Sequence, residues 1–195
     1  MTGKGEYVGA GSDIEFWGPL RNRTIRDSFE GISCLSKLLE DFYESKGEEC
    51  SIIEAAIQTS RKTFVNSGVI DSALNQNCVK EAHNIRLQIQ VDENHNIGQS
   101  YSPIYKDLFG KVIVFFEHKL DNKRWLLALV QVYAIHETNG ISVVTNVPAK
   151  SKVVHLADIK ELFGLVVSTA TNEWYIVWPK LNHEPKLLLG CHVDI

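Results

Sequence analysis

Apolar and polar residues alternate with a period of two through the middle of the chain. In His83-Asn84-Ile85-Arg86-Leu87-Gln88-Ile89-Gln90-Val91 the apolar residues Ile85, Leu87, Ile89 and Val91 share one face, which predicts a half-buried strand. Lys111 to His118 places Val112, Val114 and Phe116 on one side and Ile113 and Phe115 on the other. A strand apolar on both sides belongs in the centre of a sheet. Trp125 to Ile135 is apolar at nearly every position except Gln131, and Asp121-Asn122-Lys123 is short enough to make the two strands a hairpin. Asn139-Gly140 is a second hairpin signal, because both residue types tolerate positive φ; it should join Val132–Ile135 to Ile141–Val144. Trp174-Tyr175-Ile176-Val177-Trp178 supplies a last strand, stopped by Pro179.

The period changes near the N-terminus. Ile25, Phe29, Ile32, Leu35, Leu38 or Leu39, and Phe42 recur every three or four residues between Pro19 and Gly47, which predicts one amphipathic helix between Asn22 and Lys46, with Gly31 as a point of interruption. Its outer face ends in Glu40, Asp41, Glu44, Glu48 and Glu49, a solvated acidic surface. Residues 51–82 fit helix and strand alike. Asp158 to Phe163, closed by Gly164, reads as one short helix with a glycine cap. The segment between Asp92 and Ser102, with Asn94, Asn96 and Gly98, is turn-rich. The expected fold is therefore mainly β with minor α: a bent antiparallel sheet or small barrel, preceded by an amphipathic helix. Its divisions are a flexible tail at 1–21, a helical extension at 22–50, a β-rich module at 51–179 and a C-terminal tail at 180–195.

Composition narrows the function classes. With 44% hydrophobic and 23% charged residues the chain has the makeup of a globular protein, and no apolar run reaches the length of a membrane span. Met1 to Ser12 lacks the apolar region of a secretory signal, so an intracellular setting, nuclear or cytoplasmic, is expected. The formal charge of −4 falls on the first hundred residues while the remainder is close to neutral. Neither half offers the dense Lys/Arg face that neutralising several phosphates requires, which disfavours direct DNA binding.

Candidate chemistry is sparse. Cys34, Cys50, Cys78 and Cys191 lie far apart, as expected of reduced thiols, and Asn22-Arg23-Thr24 would be a glycosylation site only in a secreted chain. Gly3-Lys4-Gly5 lacks the spacing of a phosphate loop. The seven histidines and four cysteines, including Cys78 with His83 and Cys191 with His192, show no CxxC or HExxH spacing. There is no GxSxG elbow. No catalytic residue, metal ligand or cofactor is assigned, although carboxylates dispersed in sequence leave a metal-dependent nuclease or recombinase fragment as the alternative. The strand aromatics Trp125, Tyr133, Trp174, Tyr175 and Trp178 are the candidate binding residues. A ring cluster at the mouth of a small β-module can hold a methylated lysine by cation–π attraction, and core packing is the competing use of such rings. Trp178, beside Pro179, is the member of the set expected to be exposed.

Phe109 to His118, followed by Trp125 to Tyr133, Val154 to Ile159 and Tyr175 to Pro179, resembles a β-rich module found at the carboxyl end of proteins encoded by fungal mobile elements. That module in turn resembles bromo-adjacent homology (BAH) domains. The segment before Cys50 lies outside the resemblance, and no residue of a histone-binding cage transfers to this sequence. The resemblance implies a non-catalytic module that binds a protein partner such as a histone tail or other chromatin component in the nucleus. A structural dimerisation unit built on the amphipathic helix is a further alternative.

Overall fold

The computed structural model describes residues 6–7, 14–27, 29, 35–48, 55–66, 68–74, 82–92, 102–138, 140–145 and 150–178. In chain order the elements are β1 (Glu6–Tyr7), β2 (Ile14–Trp17), β3 (Arg21–Thr24), α1 (Leu35–Ser45), β4 (Ala56–Ser60), β5 (Lys62–Val65), β6 (Gly68–Asp71), β7 (Asn84–Asp92), β8 (Pro103–Leu120), β9 (Lys123–Val132), β10 (Ala134–Thr138), β11 (Ile141–Thr145), β12 (Ser151–His155), β13 (Ile159–Leu162), β14 (Gly164–Val167) and β15 (Trp174–Val177). Among the described residues the fold is mainly β with one α-helix. Its pairings are antiparallel and build a small sheet in the order β1-β2-β5-β6, a second in the order β10-β11-β15-β14, and a central sheet β12-β9-β8-β4-β3 to which β7 and β13 are added beside β8. Among the described residues these sheets do not close into a barrel. No helix among those residues is long and apolar enough to cross a membrane.

β8 organises everything else. One of its edges pairs with β9 from Gly110 to Leu120; the other pairs with β7 from Pro103 to Lys111 and then with β4 from Phe115 to His118. The turn into β9 uses Asp121 and Asn122 at φ 49° and 62°, the left-handed pair that a tight hairpin demands. Gly140 at φ 75° closes the second hairpin, where Thr138 opposes Ile141. The turns fall where the sequence marks them, but the strand leading into the second is Ala134–Thr138 rather than Val132–Ile135, because the run expected as one strand from Trp125 to Ile135 divides at Tyr133 into β9 and β10.

The two apolar faces of β8 and β9 build two cores. On one face α1 lays down Leu35, Leu39, Phe42 and Tyr43 against Ile57, Phe116, Leu127 and Leu129. On the other, Phe16, Val65 and Ile70 of the small sheet cover Ile85, Leu87, Phe115, Ala128 and Val130. The alternation expected for β8 is corrected at one point. A bulge lies between Val112 and Val114, so Val112 joins Phe115 in the second core while Ile113, Val114 and Phe116 all enter the first. One extra residue reverses the facing of everything before it.

The N-terminal expectation is also corrected. Arg21–Thr24 is a strand paired with β4, and α1 begins only at Leu35. Ile25 and Phe29 reach the same core as the helix, but from non-helical backbone, which is why their spacing imitates a helical stripe. Nor are residues 1–21 wholly a tail: Ile14–Trp17 pairs with β5 and buries Phe16. The helix is built into the core rather than appended to it, and the Tyr43 hydroxyl sits 2.6 Å from His118 Nδ1 on β8. The residues following 178, those between 92 and 102, and all four cysteines, Cys34, Cys50, Cys78 and Cys191, lie outside the described residues.

The short helix expected over Asp158–Phe163 is a single 3-10 turn, Leu156–Asp158, followed by strand β13. Ile159 is drawn into the ladder opposite Leu87, and its burial there outweighs the weak local preference for helix. The turn is capped by His155, whose Nδ1 accepts from the Ala157 N–H at 3.1 Å. Burial holds the His155 pKa below its usual value; the Asp158 carboxylate pulls the other way, and Lys46 and Lys123 add to the lowering. The unfolded chain therefore binds this proton more readily than the folded one. The resulting stabilisation is complete above the unfolded value of about 6.5 and is lost as pH falls through the lower folded value. Urea midpoints measured from about pH 7.5 to 5.5 should fall on acidification, and fall less in His155→Asn, which keeps a cap acceptor. Equal slopes in the two proteins would show that this histidine does not titrate against the fold.

Candidate functional site

The described residues offer one surface where exposed rings, charge and a concavity meet, and the path of β9 creates it. Gly110 is the last β8 residue opposite β9, facing Val132; Tyr133 N–H then donates to the Phe109 carbonyl at 2.8 Å, and the chain turns away into β10 and the second sheet. Phe163, at the end of β13, is anchored at the same level by its N–H to the Asn84 carbonyl at 3.1 Å. Three rings thus meet: Phe109 and Phe163 edge-on at 5.5 Å, Tyr133 and Phe163 at 6.4 Å. The Tyr133 hydroxyl donates to Asn84 Oδ1 at 2.8 Å, satisfying a buried amide. Trp178, just past β15, lies on the cluster at 5.9 Å from Phe109 and 6.3 Å from Phe163, with 48% of its surface exposed.

Arg86 completes the cluster from β7. Its guanidinium stands 5.9 Å from the Trp178 ring centroid, while Nε donates to Glu161 at 2.6 Å and Nη1 to Asp107 at 3.0 Å. These partly exposed pairs contribute little to stability. Their effect is to fix the guanidinium against the indole.

The five rings singled out in the sequence separate into three groups. Tyr133 and Trp178 share the cluster through Phe163. Trp125 is buried in the core under α1, edge-on to Phe42 and Tyr43 at 5.6 Å each and 4.0 Å from the Lys123 ammonium. Its indole Nε1 has no hydrogen-bond partner among the described residues, so the ring serves packing at some polar cost. Trp174 and Tyr175 are consecutive on β15 and so face opposite sides of the second sheet. The Tyr175 hydroxyl donates to Glu173 at 2.8 Å; this bond, with a further one from Thr171, holds the Glu173 carboxyl below its usual pKa. The rings therefore do not converge on a methyl-lysine cage, and the cation seat over Trp178 is filled by the chain's own Arg86. Phe109, Phe163 and Arg86 were absent from the sequence-derived set; nothing in their local pattern separates them from core and surface residues.

Beside the rings, where β10 leaves β8, a cavity of about 430 Å³ opens. Leu108, Phe109, Tyr133 and Ile135 supply its apolar lining, with Lys106 and Glu137 among the charged residues around it. A larger hollow of about 550 Å³ lies at the C-terminal end of α1, between Phe42, Lys46, Gln90, Lys152 and Asp158, where Lys46 is already 3.8 Å from Asp158. Among the described residues no three His, Cys, Asp or Glu side chains approach closely enough to hold a metal ion.

Comparison with family models, with curated proteins and with solved structures finds no match to this chain.

Proposed function

We propose that the chain is a non-catalytic interaction module that binds a protein partner through the surface around Trp178, and that its setting is nuclear, with a chromatin component as the partner. The observation that carries the reading is Trp178 itself. A half-exposed indole, seated on Phe109 and Phe163 and fixed by an arginine that two carboxylates orient, is a preordered contact residue of the kind that dominates protein interfaces. The cavity alongside gives that ring a neighbouring recess. The resemblance of Phe109–His118 and Tyr175–Pro179 to the modules of fungal mobile-element proteins, and through them to BAH domains, supports a chromatin partner.

Quantitative mass spectrometry of proteins retained by the immobilised full chain tests this. Trp178→Ala should leave the thermal transition within a few degrees of the parent and remove the specific partners, an expected loss of about 2 kcal/mol or more of binding free energy, near 30-fold in affinity. An unchanged set of partners would place the binding surface elsewhere.

A further inference from the structure

The recess beside the aromatic cluster is a fork between two strand edges, and the geometry points to an extended peptide segment of another protein as its occupant, added as a strand. This inference rests on the interaction reading above and names the form in which the partner binds.

β8 runs on past Gly110 toward Pro103, paired with β7 on one edge throughout; on its other edge β9 stops at Val132. No described strand pairs with that second edge between Pro103 and Leu108. Among the described residues β10 is likewise an end strand of its sheet, paired with β11 alone. The two free edges face the same cavity, to which each contributes lining residues. Backbone direction follows from alternation along a strand. Phe109 gives its carbonyl to Tyr133, so the amides and carbonyls of Asp107 and Tyr105 point the same way, into the fork. On β10, Thr138 closes the two-residue hairpin with Ile141, so Ile135 and Glu137 turn their backbone groups outward from β11.

Unpaired strand backbone is satisfied by another polypeptide in extended form, and such additions take affinity from main-chain bonds and selectivity from pockets for alternate side chains. The apolar lining at the apex would take one such side chain, and the charged residues at the lips form a polar rim. Lys106 and Glu137 offset each other, which gives nucleic acid no basic track. A second copy of this chain fits poorly, because either edge it could offer is backed by its own sheet, β8 by β7 and β10 by β11, and cannot enter the fork as a single strand. A single extended segment can.

Peptides selected by the full chain from a random display library, synthesised and titrated by fluorescence anisotropy, provide the test. Tyr105 is 71% exposed and its amide is not used in the β7 ladder, so Tyr105→Pro deletes one fork-facing N–H from a position that tolerates proline, and Tyr105→Ala controls for the ring. The expected result is binding by Tyr105→Ala, binding weaker by about 10-fold or more by Tyr105→Pro, and slowed amide exchange at Tyr105 and Asp107 on peptide addition. If Tyr105→Pro does not fold, Glu137→Pro against Glu137→Ala on the other lip makes the same comparison. Peptides that bind both Tyr105 variants equally, or protect other amides, overturn strand addition while leaving the interaction reading intact. A concentration-dependent dimer dissolved by Tyr105→Pro overturns the foreign occupant. Failure to select any peptide overturns the inference, and only the additional loss of Trp178-dependent partners from the retained proteins would overturn the reading beneath it.

Discussion

Gly110→Ala is expected to destabilise the protein by about 3 kcal/mol, lowering the midpoint of thermal unfolding by roughly 10 °C. Glycine is required here by space, not by backbone angle. A Cβ at this position would stand 2.6 Å from Val130 Cγ1 and 2.7 Å from the Gln131 carbonyl oxygen. The valine methyl can rotate away; the carbonyl oxygen belongs to the β9 backbone and moves only if the strand moves. β8 cannot yield on the other side either, since Gly110 is also in register with Ile85 of β7. The cost therefore falls on the ladder that holds the two cores apart. Differential scanning calorimetry of the single variant is sufficient, and a midpoint within 2 °C of the parent would mean that β8 and β9 do not pair in this register.

Leu39→Ala should cost about 2–5 kcal/mol in urea unfolding. Leu39 is fully buried and belongs to the same cluster as Phe116, Leu127 and Trp125. The indole of Trp125, against which Phe42 and Tyr43 pack, gives a fluorescence signal for helix and sheet together. If the helix were an extension outside the core, the same change would cost under about 0.5 kcal/mol, as a surface substitution does. A single transition, displaced to lower urea by this variant, is the expected record; two transitions, with only the first displaced, would separate the helix from the sheet.

The parts of this fold that show in the sequence are those where one strand's own side chains carry the signal. β8 is apolar on both sides and lies in the middle of the central sheet; Asp121-Asn122 and Asn139-Gly140 mark hairpins by residue type alone. The features that escape sequence reasoning depend on distant partners. Nothing local in Val112-Ile113-Val114 announces a bulge, because the extra residue is defined against Val130 and Leu129 of another strand. Ile25 and Phe29 have helical spacing, yet what sets them together is a shared core. Ile159 follows an acidic residue in a helix-like window, and the ladder position opposite Leu87 decides otherwise.

The candidate site divides in the same way. The exposure of Trp178 follows from its place at the end of a strand beside Pro179. Trp125 has equally good strand character and is buried, because α1 covers its face. The fork is invisible in one dimension: Val132-Tyr133-Ala134 is an unbroken apolar run, and only the departure of β10 from β8 after Tyr133 opens the recess.

The central position of β8 also sets a timetable for a ribosome making this chain. β4 waits for Phe115–His118, α1 for Phe116 and Leu127, and the small sheet for Phe115 and Ala128. Synthesis must run past β8 and into β9 before the apolar faces of β4, α1 and the small sheet find cover, at about 5–20 residues per second. Nascent chains arrested before Lys123 should accordingly be held by chaperones, and release should follow the emergence of the β8–β9 hairpin.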